Sequence, residues 1–165
     1  MITIRQLQPT DKYPIRIILE ETSVFTKEEI QVALELIDTA LNNPFQNDYM
    51  IYSGVSQDGN VLGYYCVGPT PLTIGTYDLY WIAVKPSIHN NGIGKQLLDH
   101  AESLVGARGG HLVVAETSSQ PKYESTRKFY SRAGYKELAR IKDYYKKDDD
   151  LVTYGKYVSQ SGDLH

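Results

Sequence analysis

The stretch from Tyr77 to Ala115 constrains the fold more than any other part of the chain. Tyr77 to Val84 is apolar and aromatic and reads as a strand. A short loop carries Pro86, and Gly92 to Ala107 then puts Ile93, Leu97, Ala101 and Leu104 on one helical stripe. Leu112 to Ala115 is a continuous apolar run, the pattern of a strand covered on both faces. Strand, crossover helix and strand form a right-handed unit whose two strands run parallel. Every other element must be added around that pair.

The flanking elements are legible from local signals. Ile2 to Leu7 alternates with period two and reads as a strand. Thr10 or Asp11 caps a helix through Ile15, Ile18 and Leu19, with Pro14 tolerated in its first turn. Thr26 followed by Glu29 has capping-box spacing, and Ile30, Leu34, Ile37 and Leu41 then share one helix face. Tyr49–Val55 and Val61–Val67 flank Asp58-Gly59, a hairpin turn signal. Thr126–Arg132 reads as a helix closed by Gly134. Tyr135–Tyr145 and Leu151–Val158 are the last two strands, joined by Lys146–Asp150. The order predicts an α/β chain of the α+β type. Its single mixed, mostly antiparallel sheet has about seven strands flanked by about four helices. Residues 1–158 are expected to form one domain, with a loose tail over 159–165.

Composition narrows the function classes. The net charge of −3 argues against a nucleic-acid binder driven by bulk charge. Apolar runs fall far short of the roughly 20 residues that span a bilayer, so no membrane partner is expected. Met1 to Leu7 does not resemble a secretion signal. The single Cys66 excludes an internal disulfide or a Cys-rich zinc site, and the four histidines lack metal-ligand spacing, so no metal is expected. A cytoplasmic protein fits these bounds. Cys66 reads as structural, and the Asp148-Asp149-Asp150 run as a solvated turn.

The chemistry concentrates in the loop from His89 to Lys95. Gly92 and Gly94 remove side chains where a ligand must approach backbone, and the N–H groups of a helix start favour an anion. A Walker loop and the dinucleotide fingerprint both require other spacings. Close helix–strand packing is the plain alternative for these glycines. The wider string decides between them. Val84-Lys85-Pro86 followed by Gly92-Ile93-Gly94 resembles the acetyl-CoA motif of the GNAT acyltransferase superfamily. Phe129-Tyr130-Ser131-Arg132-Ala133-Gly134-Tyr135 resembles that family's downstream Phe-Tyr-x-x-x-Gly-Phe. His89 departs from the usual Arg or Gln, and Tyr123 and Thr126 depart from the usual Asn and Ala.

The resemblance implies an N-acetyltransferase that moves an acetyl group from acetyl-CoA directly to a primary amine, that of a small molecule or amino acid. Alternatives are a protein N-terminal or lysine acetyltransferase and a catalytically silent acyl-CoA-binding domain. It implies that His89, Asn90, Asn91, Gly92, Ile93, Gly94 and Lys95 hold the pyrophosphate. The backbone of Ile82, Ala83 and Val84 pairs with pantetheine, and Ser118 and Tyr123 add contacts. Glu116 or Asp78 is the base; Glu116 ranks first because it follows an apolar run where burial could raise its pKa. Tyr130 matches the family's general acid. By the same analogy a homodimer is expected.

Overall fold

The computed structural model describes residues 1–159; most of the tail assigned to 159–165 lies outside the described residues. The strands are β1 (Thr3–Gln6), β2 (Met50–Val55), β3 (Val61–Pro69), β4 (Thr76–Val84), β5 (Leu112–Ser118), β6 (Lys136–Lys146) and β7 (Asp149–Tyr157). The helices are α1 (Lys12–Glu21), α2 (Lys27–Asn42), α3 (Ile93–Ala107) and α4 (Glu124–Arg132). The strands form a seven-stranded sheet in the order β1-β2-β3-β4-β5-β7-β6. The expected mixed, mostly antiparallel architecture is borne out. The chain divides into two compact units, residues 1–69 with 80–103, and residues 70–79 with the chain from Leu104 onward.

In the first unit, α2 starts at the capping box read from sequence. The Glu29 N–H donates to Thr26 Oγ1 at 3.1 Å, and the Thr26 N–H donates to Glu29 Oε2 at 2.7 Å. Ile15, Ile18 and Leu19 of α1 and Ala33, Leu34 and Ile37 of α2 form a buried cluster with Ile51, Tyr64, Cys66 and Ala83. Asp11 anchors the entry to α1. It accepts from Arg5 Nη1 at 2.7 Å, Arg5 Nη2 at 3.0 Å, the Gln8 N–H at 2.9 Å and the Ser53 hydroxyl at 2.9 Å.

Strands β2 and β3 pair antiparallel, with Gly54 opposite Gly63. These glycines let α3 approach. A Cβ on Gly63 would stand 2.8 Å from the Ala83 carbonyl oxygen and 3.0 Å from Leu97 Cδ1. A hydrogen bond of 2.7 Å between Tyr65 Oη and His100 Nδ1 ties β3 to α3 a turn further on. Together these contacts fix where the N-terminus of α3 lies.

In the second unit, β4 pairs parallel to β5 through Thr76–Leu112, Tyr77–Val113 and Asp78–Val114, as the crossover rule requires. Strand β5 pairs antiparallel to β7 from Leu112–Tyr157 to Ser118–Leu151. Contrary to expectation, β5 is not covered evenly. Val113 and Ala115 are buried, Leu112 and Val114 are half-buried, and Glu116 is exposed. Helix α4 begins two residues earlier than predicted, at Glu124, and Gly134 with φ +90° closes it as expected. The Tyr135 N–H returns to the Tyr130 carbonyl at 3.0 Å. Strand β6 is last in the order, and all 11 of its residues are exposed. The run Asp148–Asp150 is not a solvated turn throughout: Asp149 already belongs to β7 and is 6% exposed.

Candidate acetyl-transfer site

The loop between β4 and α3 carries two left-handed residues ahead of the helix. Asn90 takes φ 69° and Gly92 φ +76°, and α3 begins at Ile93. The first helical turn of α3 leaves its own N–H groups without intrahelical partners. A Cβ on Gly92 would meet nothing within 4 Å, so glycine is required there for its backbone angle, not for space. His89, Asn90, Asn91, Gly92 and Lys95 are exposed, Gly94 is half-buried, and Ile93 is buried as the first residue of the α3 stripe.

Two charged or ionisable members of the loop are engaged locally. His89 Nε2 donates to the Val84 carbonyl at 2.8 Å, which folds the loop back onto the end of β4. Lys95 Nζ donates to both Asp99 oxygens, at 2.6 and 2.8 Å, and this contact raises the ammonium pKa. The loop therefore offers an anion mainly backbone N–H groups and the helix dipole. The Lys85 N–H donates to the Leu62 carbonyl at 2.8 Å, which orders the exit from Ile82, Ala83 and Val84.

The two candidate bases share a face. Asp78 stands opposite Val114, and side chains two apart on a strand point the same way, so Asp78, Val114 and Glu116 lie on one side of the ladder. Asp78 is half-buried and accepts from Thr70 Oγ1 at 2.9 Å. Glu116, opposite Thr153, is exposed, so the burial that favoured it in the sequence is absent.

Tyr130 lies on the other side. Its ring stacks on Tyr154 at 5.8 Å, and Tyr154 stands opposite Ala115. Phe129 and Tyr135 each pack against it with centroids 5.6 Å away. Burial raises the Tyr130 pKa well above its ordinary value, so the phenol keeps its proton at neutral pH. Cys66 is also buried, and burial pushes its thiol up to about 12, which leaves no thiolate nucleophile.

Ser118 and Tyr123 flank the connection between β5 and α4. The Ser118 hydroxyl is buried and donates to Asp149 Oδ1, while Tyr123 is half-buried at the start of α4. Gln120 was not singled out in the sequence, and Asp149 was read only as part of a solvated turn. A signal for Asp149 existed: counting back by two from the buried Leu151 puts it on the inward face. Among the described residues no group of three or more His, Cys, Asp or Glu could hold a metal ion. Among them, too, no helix is long and apolar enough to cross a membrane.

Comparison with known proteins gives the family and the fold. The acetyltransferase (GNAT) domain family matches residues 49–137. A GNAT-family protein of known structure from Desulfovibrio desulfuricans is 41% identical over 96% of this chain and 100% of its own, with a TM-score of 0.92. The ribosomal-protein-S18-alanine N-acetyltransferase of Escherichia coli shares the fold at 19% identity, covering 100% of this chain and 99% of its own, with a TM-score of 0.75. An aminoglycoside 6′-N-acetyltransferase complexed with coenzyme A does so at 20% identity, covering 98% and 99%, with a TM-score of 0.76. No protein of curated function matches the sequence. The chain belongs to the GNAT family of acetyltransferases, which use acetyl-CoA as the acyl donor.

Proposed function

We propose that this enzyme acetylates a primary amine of a small molecule or amino acid. The observation that carries the reading is the two-sided arrangement around β5: carboxylates of Asp78 and Glu116 on one face, the protonated Tyr130 on the other. Acetyl-CoA supplies an activated acyl carbon, so an N–C bond forms as the C–S bond breaks.

The chain's residues supply the rest. An amine is protonated near neutral pH and must lose a proton to attack. Asp78 or Glu116 takes it, directly or through water, on the face where the amine arrives. Tyr130 gives a proton to the departing sulfur from the opposite side, and the second proton shed by the nitrogen as the amide forms restores the phenol. The N–H groups of the His89–Lys95 loop hold the pyrophosphate, and the open backbone of Ile82, Ala83 and Val84 pairs with the pantetheine amides. A backbone N–H near Ile82 stabilises the oxyanion. Tyr123 adds a contact through its side chain. Ser118 adds one through its backbone, because its hydroxyl is engaged with Asp149. Residues 1–158 act as one domain in this reading, since the family match includes residues of both units. The free, buried Cys66 suits a reducing, cytoplasmic setting. A homodimer completes the reading, and its mass in solution tests that part.

The deciding assay measures CoA-thiol release from acetyl-CoA with small amines, amino acids, peptides with free N-termini and lysine peptides. Turnover with small amines supports the proposal. Turnover restricted to peptides moves the acceptor class to proteins. Acetyl-CoA binding with no release for any amine identifies a silent binding domain instead.

A further inference from the structure

The connection between β5 and α4 is held by a buried polar knot that the mechanism above does not use. Asp149, 6% exposed, opens β7. Its Oδ1 accepts from the Ser118 hydroxyl, and its Oδ2 accepts from Gln120 Nε2 at 2.8 Å. Ser118 Oγ in turn accepts the Gln120 N–H at 3.0 Å. Arg127, in α4, donates through Nη1 to the Ser118 carbonyl at 2.7 Å and to the Gln120 carbonyl at 2.9 Å. The next residues repeat the tie. The Ser119 N–H donates to the Asp150 carbonyl at 3.1 Å, and the Asp150 N–H donates to Ser119 Oγ at 2.8 Å.

A buried carboxylate is costly unless its oxygens are satisfied, so a site that keeps one has a use for the geometry it imposes. Here both oxygens close on one three-residue turn, Ser118 to Gln120. That turn begins two residues after Glu116 on the same strand, and its other tether, Arg127, lies three residues before Tyr130 on the same helix. No other residue in the knot reaches from β7 to both side-chain donors of the turn.

We propose that Asp149 is a positioning residue for acetyl transfer, clamping the Ser118–Gln120 turn so that Glu116 and Tyr130 keep a fixed separation across β5. The inference rests on the acetyl-transfer reading of the preceding section. Asp149 touches neither substrate nor reacting atoms; it acts through the turn. Loss of the clamp leaves the turn held only through Arg127 and the Ser119–Asp150 pair, so the end of β5 and the start of α4 gain play. Displacement of a proton-transfer group by about 1 Å can lower a rate by about 100-fold while leaving binding intact.

The test compares wild type with Asp149→Ala, Asp149→Asn and Gln120→Ala, at a temperature well below the lowest melting point. Acetyl-CoA binding is read by calorimetry. Turnover is read as CoA-thiol release with the amine panel, with slow hydrolysis of acetyl-CoA to acetate and CoA as the acceptor-independent reaction. Asp149→Ala is expected to lower kcat about tenfold or more, with a smaller loss of acetyl-CoA affinity through the Ser118 contact. Asp149→Asn, which keeps one acceptor, gives an intermediate loss and a shifted pH–rate profile. Combining Ser118→Ala with Asp149→Ala costs little beyond the worse single change, because the groups act as a unit. An unchanged kcat in folded Asp149→Ala overturns the proposal, as does a raised acetyl-CoA Kd with kcat intact. If Asp149→Ala does not fold, Gln120→Ala and Asp149→Asn decide on the same criteria. Wild-type protein that binds no acetyl-CoA defeats the acetyl-transfer reading itself, and the positioning role with it.

Discussion

Asp78 and Glu116 lie on the same face of the parallel β4–β5 ladder, with Asp78 one strand repeat short of Glu116. Their surroundings differ: Asp78 is half-buried and takes a hydrogen bond from Thr70, while Glu116 is exposed. A base needs access to the arriving amine and freedom to accept its proton. Glu116→Gln is therefore expected to lower kcat about 100-fold and Asp78→Asn no more than about tenfold. Rates with saturating amine separate the two, and the reverse ranking would reassign the base to Asp78.

Tyr130→Phe keeps the ring that packs on Tyr154, Tyr135 and Phe129 and removes only the hydroxyl. Folding stability should change little, while kcat falls about 100-fold with acetyl-CoA affinity nearly unchanged. Steady-state kinetics alongside a melting curve check this. A variant as fast as wild type removes Tyr130 from the acid role.

Gly92→Ala adds a methyl where there is room but where φ is +76°. The left-handed angle disfavours any side chain by about 1–2 kcal/mol, so the loop relaxes away from its cradle shape. CoA affinity should fall about tenfold. The chain's one tryptophan, Trp81, precedes the Ile82–Val84 segment and gives a fluorescence signal for the titration.

Asp99→Ala releases the Lys95 ammonium from its carboxylate partner. A cation in the first turn of α3 is then free to meet phosphate. CoA binding is expected to tighten about two- to threefold at low salt, and the gain should vanish at high salt because the site is exposed. Weaker binding would mean that Asp99 holds Lys95 in its productive position.

Acid should loosen the first unit through Asp11. Burial alone would raise this carboxyl, but the Arg5 fork, the Gln8 N–H and the Ser53 hydroxyl outweigh it, so its pKa lies below the ordinary carboxylate range. A depressed pKa contributes stability above the unfolded value of about 4, and that contribution is lost as pH falls through the folded value. Asp11→Ala should cost about 2 kcal/mol at pH 7, because Arg5 remains 28% exposed and tolerates the loss of its partner. The deficit of the variant should shrink toward pH 3, as melting curves across that range would register.

Local chemistry made much of this legible in the sequence. Thr26 and Glu29 announce α2, Gly134 closes α4, and the run from Tyr77 to Ala115 declares the parallel pair. What stayed hidden depends on partners distant in sequence. Glu116 follows apolar residues, yet its pairing with Thr153 leaves it in solvent. Asp149 sits in an acidic run that reads as a turn; strand alternation from Leu151 hints at its inward face, but its partner Ser118, 31 residues away, is visible only in the structure. The pairing of Lys95 with Asp99 was within reach, since four residues is one helical step. The hold of His89 on the Val84 carbonyl needed the shape of the loop.

The exposure of β6 has a consequence for life at high concentration. A strand open along one side can template pairing with other chains, and here it carries Leu138, Ile141, Tyr144 and Tyr145 at 46–56% exposure. Lys136, Glu137, Arg140, Lys142 and Lys146 line it with charge, and the left-handed step at Asp143, with φ 54°, interrupts its regular repeat. Asp150 holds that interruption in place, accepting the Asp143 N–H at 3.0 Å and Arg140 Nη1 at 3.0 Å. Asp150 thus fixes the irregular step that breaks the repeat of this exposed edge.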